Sequence, residues 1–513
     1  VKHGTGWDDG LRVQADGRGL VGHSGVVLLR RLADRTGLTG AWAKAFPAGA
    51  GAGWKDRATV FVHVAVAIAL GAHSVLEAEQ FQRHHGRLFS GPVSDSTMHR
   101  TLSQLDGPAA LRVRARIRRT VWSWLHLRPG GFPWLTVAGK RLHDGVIVDM
   151  DASIITAASK KDGAAATWKK TFGFHPLAAW CANTGECLAM LLRPGSAGSN
   201  TVTDHITVLR DALAQIPGSS SAKLLVRVDG AGATHGLHDH LQALNTRHRT
   251  VRFTTGWKIT EADEAAIGRL PESAWEVSLN QDGSVQDGYF VAELTGLNGR
   301  EGWSEGLRLI VRRVRPSARH REKITAFEAG TGWKYSVTAT NIRRMTRIAG
   351  SHQAQWIDAL HRHHTVVEDR VRTNKAMGLH NLPSKSWTVN ESWMLAANLA
   401  ADLDAWLRLL ALHDQGDLAD AEPDTMRFRI YPARPTGDTR PPPSPPSGDH
   451  LALGRRVHPG LETAHRLACH HLTENRCPDE DQEGGESIPG PVEPGAAAAT
   501  RDDPTRPRAG QTG

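Results

Sequence analysis

Between Thr59 and Leu70 the chain is apolar almost all round, the pattern of a helix buried in a core rather than laid on a surface. After Gly91-Pro92, the run Ser94-Asp95-Ser96-Thr97 supplies N-cap residues, and Met98, Thr101, Leu102 and Leu105 follow at helical spacing. A second helix is expected from Ala109 to Trp124, with Arg112, Arg114, Arg116, Arg118 and Arg119 set among Leu111, Val113, Ile117 and Val121. Helix, turn and basic helix form a candidate DNA-reading unit, and the same pattern also describes an Arg-rich solvated face on a structural bundle.

From Asp144 the texture changes to short apolar runs, Gly145 to Val148, Phe174 to Cys181 and Glu186 to Leu192, the last two separated by the turn Asn183-Thr184-Gly185. A helix from Thr201 to Ile216, a strand from Lys223 to Val228 and a helix from His235 to Leu244 follow. Strands first in meander and then alternating with helices predict an α/β sandwich around a mixed sheet. Between Val251 and Asn341 the pattern is strand-like again, with few helix signals, at Trp275 to Leu279, Tyr289 to Ala292, Leu307 to Val314 and Tyr335 to Thr340. Helices return from Ser351 to Lys375 and from Asn390, which reads as an N-cap, to Leu412.

Beyond Pro435 the composition turns to proline and then to Gly, Glu, Ala and Asp, which cannot bury enough apolar surface to order itself. Five segments result: 1–138 helical and DNA-binding, 139–250 the first part of an α/β catalytic core, 251–345 a β-rich insertion, 346–435 the second part of the core, and 436–513 a disordered tail.

Charge adds a partner class. Lys and Arg number 62 against 53 Asp and Glu, a net +9 that suits a polyanion. Four cysteines in 513 residues leave no disulfide framework and point to the reducing cytosol. The most apolar stretch, Val60 to Leu70, carries His63 and falls short of the roughly twenty residues a bilayer span requires. No signal-peptide pattern opens the chain, so a cytoplasmic protein with no membrane partner is expected.

Acidic residues close two of the buried strands. Asp149 and Asp151 follow Val146-Ile147-Val148, and Asp229 follows Leu224 to Val228. Ligands of open α/β sheets collect at the carboxyl ends of strands. A spacing of two puts Asp149 and Asp151 on one face, and each of the three also fits a turn carboxylate accepting backbone N–H groups. Glu368 lies two turns before Lys375 in the helical run from His361, so the two project from one side.

Together these residues resemble the catalytic signature of DDE transposases of bacterial insertion sequences. There a first Asp ends a strand with Thr or Ser two places on, as in Asp151-Ala152-Ser153, and a second Asp ends a later strand, as Asp229 does. The third element, a Tyr, Arg, Glu, Lys series, falls on His361, His364, Glu368 and Lys375, with histidines in the Tyr and Arg places. Ala69 to Ala72, Ser94 to Thr97 with Arg100 to Leu102, Gly198 to Asn200 with Asp204-His205, and Leu382-Pro383 are similar to the insertion-sequence 1380 group, a likeness spanning residues 20 to 434.

The resemblance implies a ribonuclease H-like core, interrupted by a β-rich insertion and preceded by a helical DNA-binding domain. It implies that Asp151, Asp229 and Glu368 hold two Mg²⁺ ions, with Mn²⁺ able to substitute; Ser153 favours Asp151 over Asp149. Lys375, His361 and His364 become DNA contacts. An aromatic of the insertion stacks a base near the cut, for which Tyr335, one of three tyrosines, is the choice and Trp333 the reserve. The activity implied is cut-and-paste transposition by a homodimer on double-stranded DNA, both the element's terminal inverted repeats and the target. The rivals are an inactive transposase-derived DNA-binding protein or repressor, a structure-specific nuclease with similar carboxylates, and a zinc-binding regulator using His465, Cys469, His470, His471 and Cys477.

Overall fold

The apolar runs after Asp144 pair into one sheet. The computed structural model describes residues 12–14, 23, 25–50, 54–158, 160–220, 223–297, 302–317, 323–432 and 450–452. Its large sheet holds β1 (Val146–Ala152), β2 (Leu177–Cys181), β3 (Cys187–Leu191), β4 (Lys223–Val228), β5 (Thr250–Trp257), β6 (Glu276–Leu279), β7 (Val285–Glu293), β8 (Arg308–Val314) and β9 (Lys334–Thr340). Across the sheet the order is β6-β7-β8-β9-β5-β4-β1-β2-β3. Strands β1, β4 and β5 run parallel, and the remaining pairings are antiparallel.

Parallel strands need both faces covered, which is why β1 and β4 read as largely apolar runs. Val146, Val148, Met150, Leu224, Val226 and Val228 join one core. Ile147 and Leu225 point the other way, into a second core with Trp356, Ile357 and Leu360. The strands expected as an insertion extend the same sheet: β9 pairs antiparallel with β5, from Thr254 opposite Thr340 to Trp257 opposite Val337. At the β2–β3 hairpin Gly185 adopts φ 75°, the left-handed turn position that the Asn-Thr-Gly signal demands.

The longer helices among the described residues include α1 (Val26–Arg35), α2 (Arg57–Ala69), α3 (Asp95–Ser103), α4 (Gly107–Leu127), α5 (Val202–Gln215), α6 (His235–Ala243), α7 (Ala354–Arg362), α8 (Val367–Asn374) and α9 (Trp387–Ala411). Helix α2 is buried on nearly every side, as its sequence predicts, and α9 packs against α1, α2 and α3 in the first core. Ser94 caps α3 by accepting from the Thr97 N–H. Among the described residues no helix is long and apolar enough to cross a membrane.

The sequence expectations need four corrections. The run from Ser351 to Lys375 is not one helix, because a 3-10 turn, His363–Val366, separates α7 from α8. Asn390 is not an N-cap. It lies inside α9, which starts after Ser386, and its side chain accepts from Ser384 N and donates to Ser384 O, both at 2.9 Å. Helices Glu261–Gly268 and Ala326–Thr331 sit among the strands, each opened by a capping box, Thr260 with Asp263 and Thr325 with Glu328. Of the expected tail only His450–Ala452 is described, as a strand parallel to Arg12–Gln14. The rest of residues 436–513 and the cluster of His465, Cys469, His470, His471 and Cys477 lie outside the described residues.

The arginines of α4 divide by face. Arg112, Arg116 and Arg119 are exposed, whereas Arg114 and Arg118, four apart, point inward. Arg118 donates to Glu186 at 2.7 Å, Gln215 at 2.7 Å and Asp402 at 2.9 Å. Arg114 donates to Asp402 at 3.1 Å, and the indoles of Trp122 and Trp406 donate to Glu186 at 2.6 and 2.7 Å. Two cations and two carboxylates thus neutralise one another where α4, α5, α9 and the β2–β3 hairpin meet. Removing one member leaves a buried charge uncompensated. Arg118→Ala is expected to cost about 3–5 kcal/mol in urea unfolding, against within about 0.5 kcal/mol for exposed Arg116→Ala; equal, small losses would show that the cluster does not hold the layers together.

Candidate active site

Arg227 stands directly across from Asp149 on the parallel pair β1 and β4. Its Nε donates to Asp149 Oδ1 at 2.6 Å and its Nη2 to Oδ2 at 2.7 Å, a forked, fully buried pair. Nη1 of the same guanidinium donates to the Leu360 carbonyl of α7 at 3.0 Å. His364 Nδ1 lies 3.1 Å from Asp149 Oδ1. Burial alone would raise the Asp149 carboxyl, but Arg227 and His364 outweigh it and hold it well below the ordinary carboxylate range. Asp149, the competing choice for a first ligand, is therefore committed to structure.

A second layer sits one step beyond. Side chains alternate along a strand, so two residues past Asp149 comes Asp151 and two past Arg227 comes Asp229, on the same face. Four residues past His364, in the first turn of α8, comes Glu368. Asp151 is part-buried, while Asp229 and Glu368 are exposed. The Asp151 carboxyl is pushed up to about 6, by burial first and then by Asp229, with Glu368 adding, against the Ala152 N–H and His364. Asp229 also accepts from Ala231 N at 3.0 Å, and a Cβ on Gly256 would come within 2.7 Å of Gly230 N, so β5 needs glycine beside this turn. The half-buried Lys375 has its ammonium pKa lowered by burial and by Lys169, with Asp151 opposing.

Among the described residues no three carboxylate, imidazole or thiol side chains close into a metal-holding group. The donor chemistry nonetheless suits a hard divalent cation: three carboxylates, all oxygen, with Asp229 and Glu368 both near enough to act on Asp151. The cost of ionising Asp151, set by burial first and then by Asp229 and Glu368, is what such a cation would relieve.

Residues 5–432 match the family described as Transposase DDE domain group 1. The chain belongs to that family. No curated protein matches it. Among solved structures it is similar to a piggyBac transposase, seen by cryo-EM in a synaptic complex with hairpin DNA, at 11% identity and a TM-score of 0.39 over 80% of this chain and 79% of that one. A likeness so distant carries no argument about the site.

Within this DDE transposase domain the other expected site residues are spent differently. His361 Nδ1 lies 3.1 Å from Thr254 Oγ1 of β5, and burial, with His364 and Arg227 adding, pushes the imidazole down to about 3, which keeps it neutral. His361 and His364 thus face protein partners rather than a phosphate. Tyr335 is 8% exposed, between Trp275 and Phe327, with its N–H donated to Glu328 at 2.9 Å, so it is a core aromatic and not one offered to a base. Trp333 lies under Arg313 and Arg315, 4.6 and 3.9 Å from its ring centroid.

Two features went unread in the sequence. Arg227 is a lone charge inside the apolar run Leu224 to Val228, the mark of a buried ion pair. Trp168-Lys169-Lys170, between Thr167 and Thr171, forms an exposed aromatic and basic tip whose Lys169 reaches Lys375 electrostatically.

The raised Asp151 pKa has a stability consequence. Its folded value lies above the unfolded value of about 3.9, so ionisation costs stability as pH rises from about 4 to about 6. In EDTA, Asp151→Asn should melt higher than the unsubstituted protein at pH 7.5, with the gain shrinking toward pH 4. Identical melting at pH 7.5 would mean that ionised Asp151 carries no cost in the folded protein.

Proposed function

We propose that this transposase binds the ends of its own insertion sequence and cuts and joins DNA strands at Asp151, Asp229 and Glu368. One observation carries the proposal: the register of two adjacent parallel strands sets Asp151 beside Asp229, and Glu368 at the start of a helix lies near enough to act on Asp151, in a chain of the DDE family. The order β3-β2-β1-β4-β5, antiparallel and then parallel, supports a ribonuclease H-like core in which β6 to β9 lengthen the sheet. The motifs shared with the insertion-sequence 1380 group support that finer placement, with cut-and-paste transposition by a homodimer on terminal repeats and target DNA at the bacterial nucleoid.

Asp151, Asp229 and Glu368 would hold two Mg²⁺ ions, or Mn²⁺ in their place. Bound there, such ions stabilise the attacking and leaving oxygens of an in-line phosphodiester displacement and bring a water toward ionisation at neutral pH. The protein's own share is positioning. Asp149, Arg227 and His364 fix the two strand ends and the start of α8 that carry the carboxylates. Lys375, close enough to feel Asp151, places a positive charge beside a phosphate at the cut. The exposed Arg112, Arg116 and Arg119 of α4 offer phosphate contacts to the element end.

A labelled element end incubated with Mg²⁺ tests the reading. The unsubstituted protein should nick at the element boundary. Asp151→Asn, Asp229→Asn and Glu368→Gln should each lower cutting by at least about a thousandfold, comparable with losing a major transition-state contact, while end binding stays within about threefold because basic contacts to phosphate supply it. Cutting by Asp229→Asn at the normal rate would place the chemistry elsewhere. Binding without cutting by the unsubstituted protein would favour the DNA-binding repressor instead.

A further inference from the structure

At the end of the sheet away from the carboxylates, where β1, β4 and β5 begin, lies a cavity of about 120 Å³. Register fixes its place: Lys223 opens β4 opposite Thr250 of β5, and Leu224 stands across from Val146 of β1. Five steps along β1 separate Val146 from Asp151, about 17 Å at the rise of a strand. An anion in this cavity is therefore out of reach of Asp151, Asp229 and Glu368.

The rim is cationic. His143, Lys223, Arg252 and Arg344 line the cavity, and no carboxylate does. Arg344 belongs to the turn after β9, which also carries the exposed Arg343 and Arg347, and Arg141 stands exposed two residues before His143. Asp144 meets Lys223 at 3.5 Å. Among the described residues Arg141, Arg252, Arg343, Arg344 and Arg347 enter no ion pair. By contrast, Arg308 of β8 is matched by Glu293 and Arg313 by Glu272.

The turn that gathers these charges is fastened on both sides. Asn341 Oδ1 accepts from Phe253 N at 3.0 Å and its Nδ2 donates to Val251 O at 3.1 Å, so the turn is tied to β5 on either side of Arg252. The buried Ser351 closes it, its Oγ accepting from Met345 N at 2.8 Å, and the Lys140 ammonium donates to the Ala349 carbonyl. Arg347 takes the left-handed conformation, φ 68°, which a non-glycine residue adopts at a cost. Burial and Arg343 both work against the charge of Arg252. Like charges held together without counter-charge cost stability, and a polyanion relieves that cost.

The arrangement selects among polyanions. A single small anion in the cavity would leave Arg141, Arg343 and Arg347 unmatched. No Phe, Tyr or Trp lines the cavity, so an unpaired base has no ring to stack on. The repeated phosphates of an intact duplex suit both facts, and arginine grips phosphate through two parallel donors.

We propose that the amino ends of β1, β4 and β5, with the turn after β9, bind the backbone of a duplex segment other than the one being cut, its phosphates at Lys223, Arg252 and Arg344. The inference rests on the reading of this chain as a DNA-cutting transposase and adds a second hold on DNA at the opposite end of the sheet. Backbone contacts carry no sequence information, so this hold is blind to sequence and steep in salt.

The test uses the full chain in EDTA and a fluorescent duplex of random sequence, with binding read as anisotropy across a salt series. Lys223→Ala with Arg344→Ala should weaken binding about tenfold or more and lower the salt slope by about two, one per lost phosphate contact. Arg210→Ala with Lys323→Ala, which takes the same charge from elsewhere on the surface, should stay within about threefold. Asp144 sits at φ 61°, a conformation that asparagine also adopts, so Asp144→Asn removes the negative charge beside Lys223 without reshaping its turn and should tighten binding. Unlabelled duplex should displace the probe, and polyglutamate of equal charge should not.

Unchanged affinity and slope in Lys223→Ala with Arg344→Ala would overturn the proposal, as would an equal loss in the Arg210 and Lys323 pair, which marks net charge alone. Asp144→Asn binding no tighter would count against it in the same way. Displacement by polyglutamate as readily as by duplex would overturn it in favour of an acidic protein partner. Nicking of the element end with Mg²⁺ is scored separately: its absence in the unsubstituted protein, beside the expected loss in the Lys223 and Arg344 pair, would sink the DNA-cutting reading and leave the duplex-binding surface standing.

Discussion

The arrangement of the proposed site depends on one buried contact, the forked ion pair between Asp149 and Arg227. It joins two parallel strands at a fixed register, and through His364 and the Leu360 carbonyl it ties the α7–α8 layer to the sheet. The residues two, two and four places on are Asp151, Asp229 and Glu368, so the site is the buried cluster displaced by one layer toward solvent. A slip of one residue between β1 and β4 would turn every side chain to the opposite face and carry Asp229 toward the apolar core. A buried ion pair seldom adds net stability over a hydrophobic pair of the same shape. Here its contribution is register, because Arg227 meets Asp149 directly across the β1–β4 pair.

The layer above works against stability. Asp151 is held near Asp229 and Glu368 with its carboxyl pushed up to about 6, so the folded protein carries repulsion that an apolar site would avoid. Functional sites commonly store such costs, and the surrounding fold offsets them. In this chain the apolar cores on the two faces of the sheet supply the offset, and two buried ion clusters fix the geometry, Asp149 with Arg227 beneath the site and Arg114, Arg118, Glu186 and Asp402 behind the hairpin of β2 and β3. Both are charge-balanced and shielded from water. The second fastens the N-terminal helices to the sheet, so that α9, which shares its core with α1 to α3, follows the segment carrying Lys375 without a break in packing.

Much of this was legible in the sequence. The strand from Lys223 to Val228 was readable to the residue, because a buried parallel strand has a plain apolar signature, and the strand-end aspartates followed from it. What periodicity could not supply was the identity of the facing partner. The five arginines of α4 look alike in one dimension, yet Arg114 and Arg118 meet carboxylates more than sixty residues away in sequence while Arg112, Arg116 and Arg119 meet solvent. Tyr335 was misplaced and Trp168 went unread for the same reason. Tyr335 alternates onto the covered face of β9, whereas Trp168 sits on a turn whose outward aim depends on the hydrogen bond from Thr167 N to Thr171 O and on the left-handed φ of Lys170. The two short helices among the strands carried readable capping boxes, Thr260 with Asp263 and Thr325 with Glu328, which the surrounding β pattern masked.

The central claim is that Asp151, Asp229 and Glu368 form one divalent-cation site, and the direct measurement is Mn²⁺ binding to the metal-free full chain, followed by loss of the free-ion electron paramagnetic resonance signal. The unsubstituted protein should take up Mn²⁺, and Mg²⁺ should compete for it. Asp151→Asn, Asp229→Asn and Glu368→Gln should each weaken uptake by about tenfold or more, the scale of disturbing a metal's supporting ligands, while Asp369→Asn, one residue from Glu368, should leave it unchanged. Uptake of the same number of ions with the same affinity in Asp151→Asn and Asp229→Asn would contradict the claim.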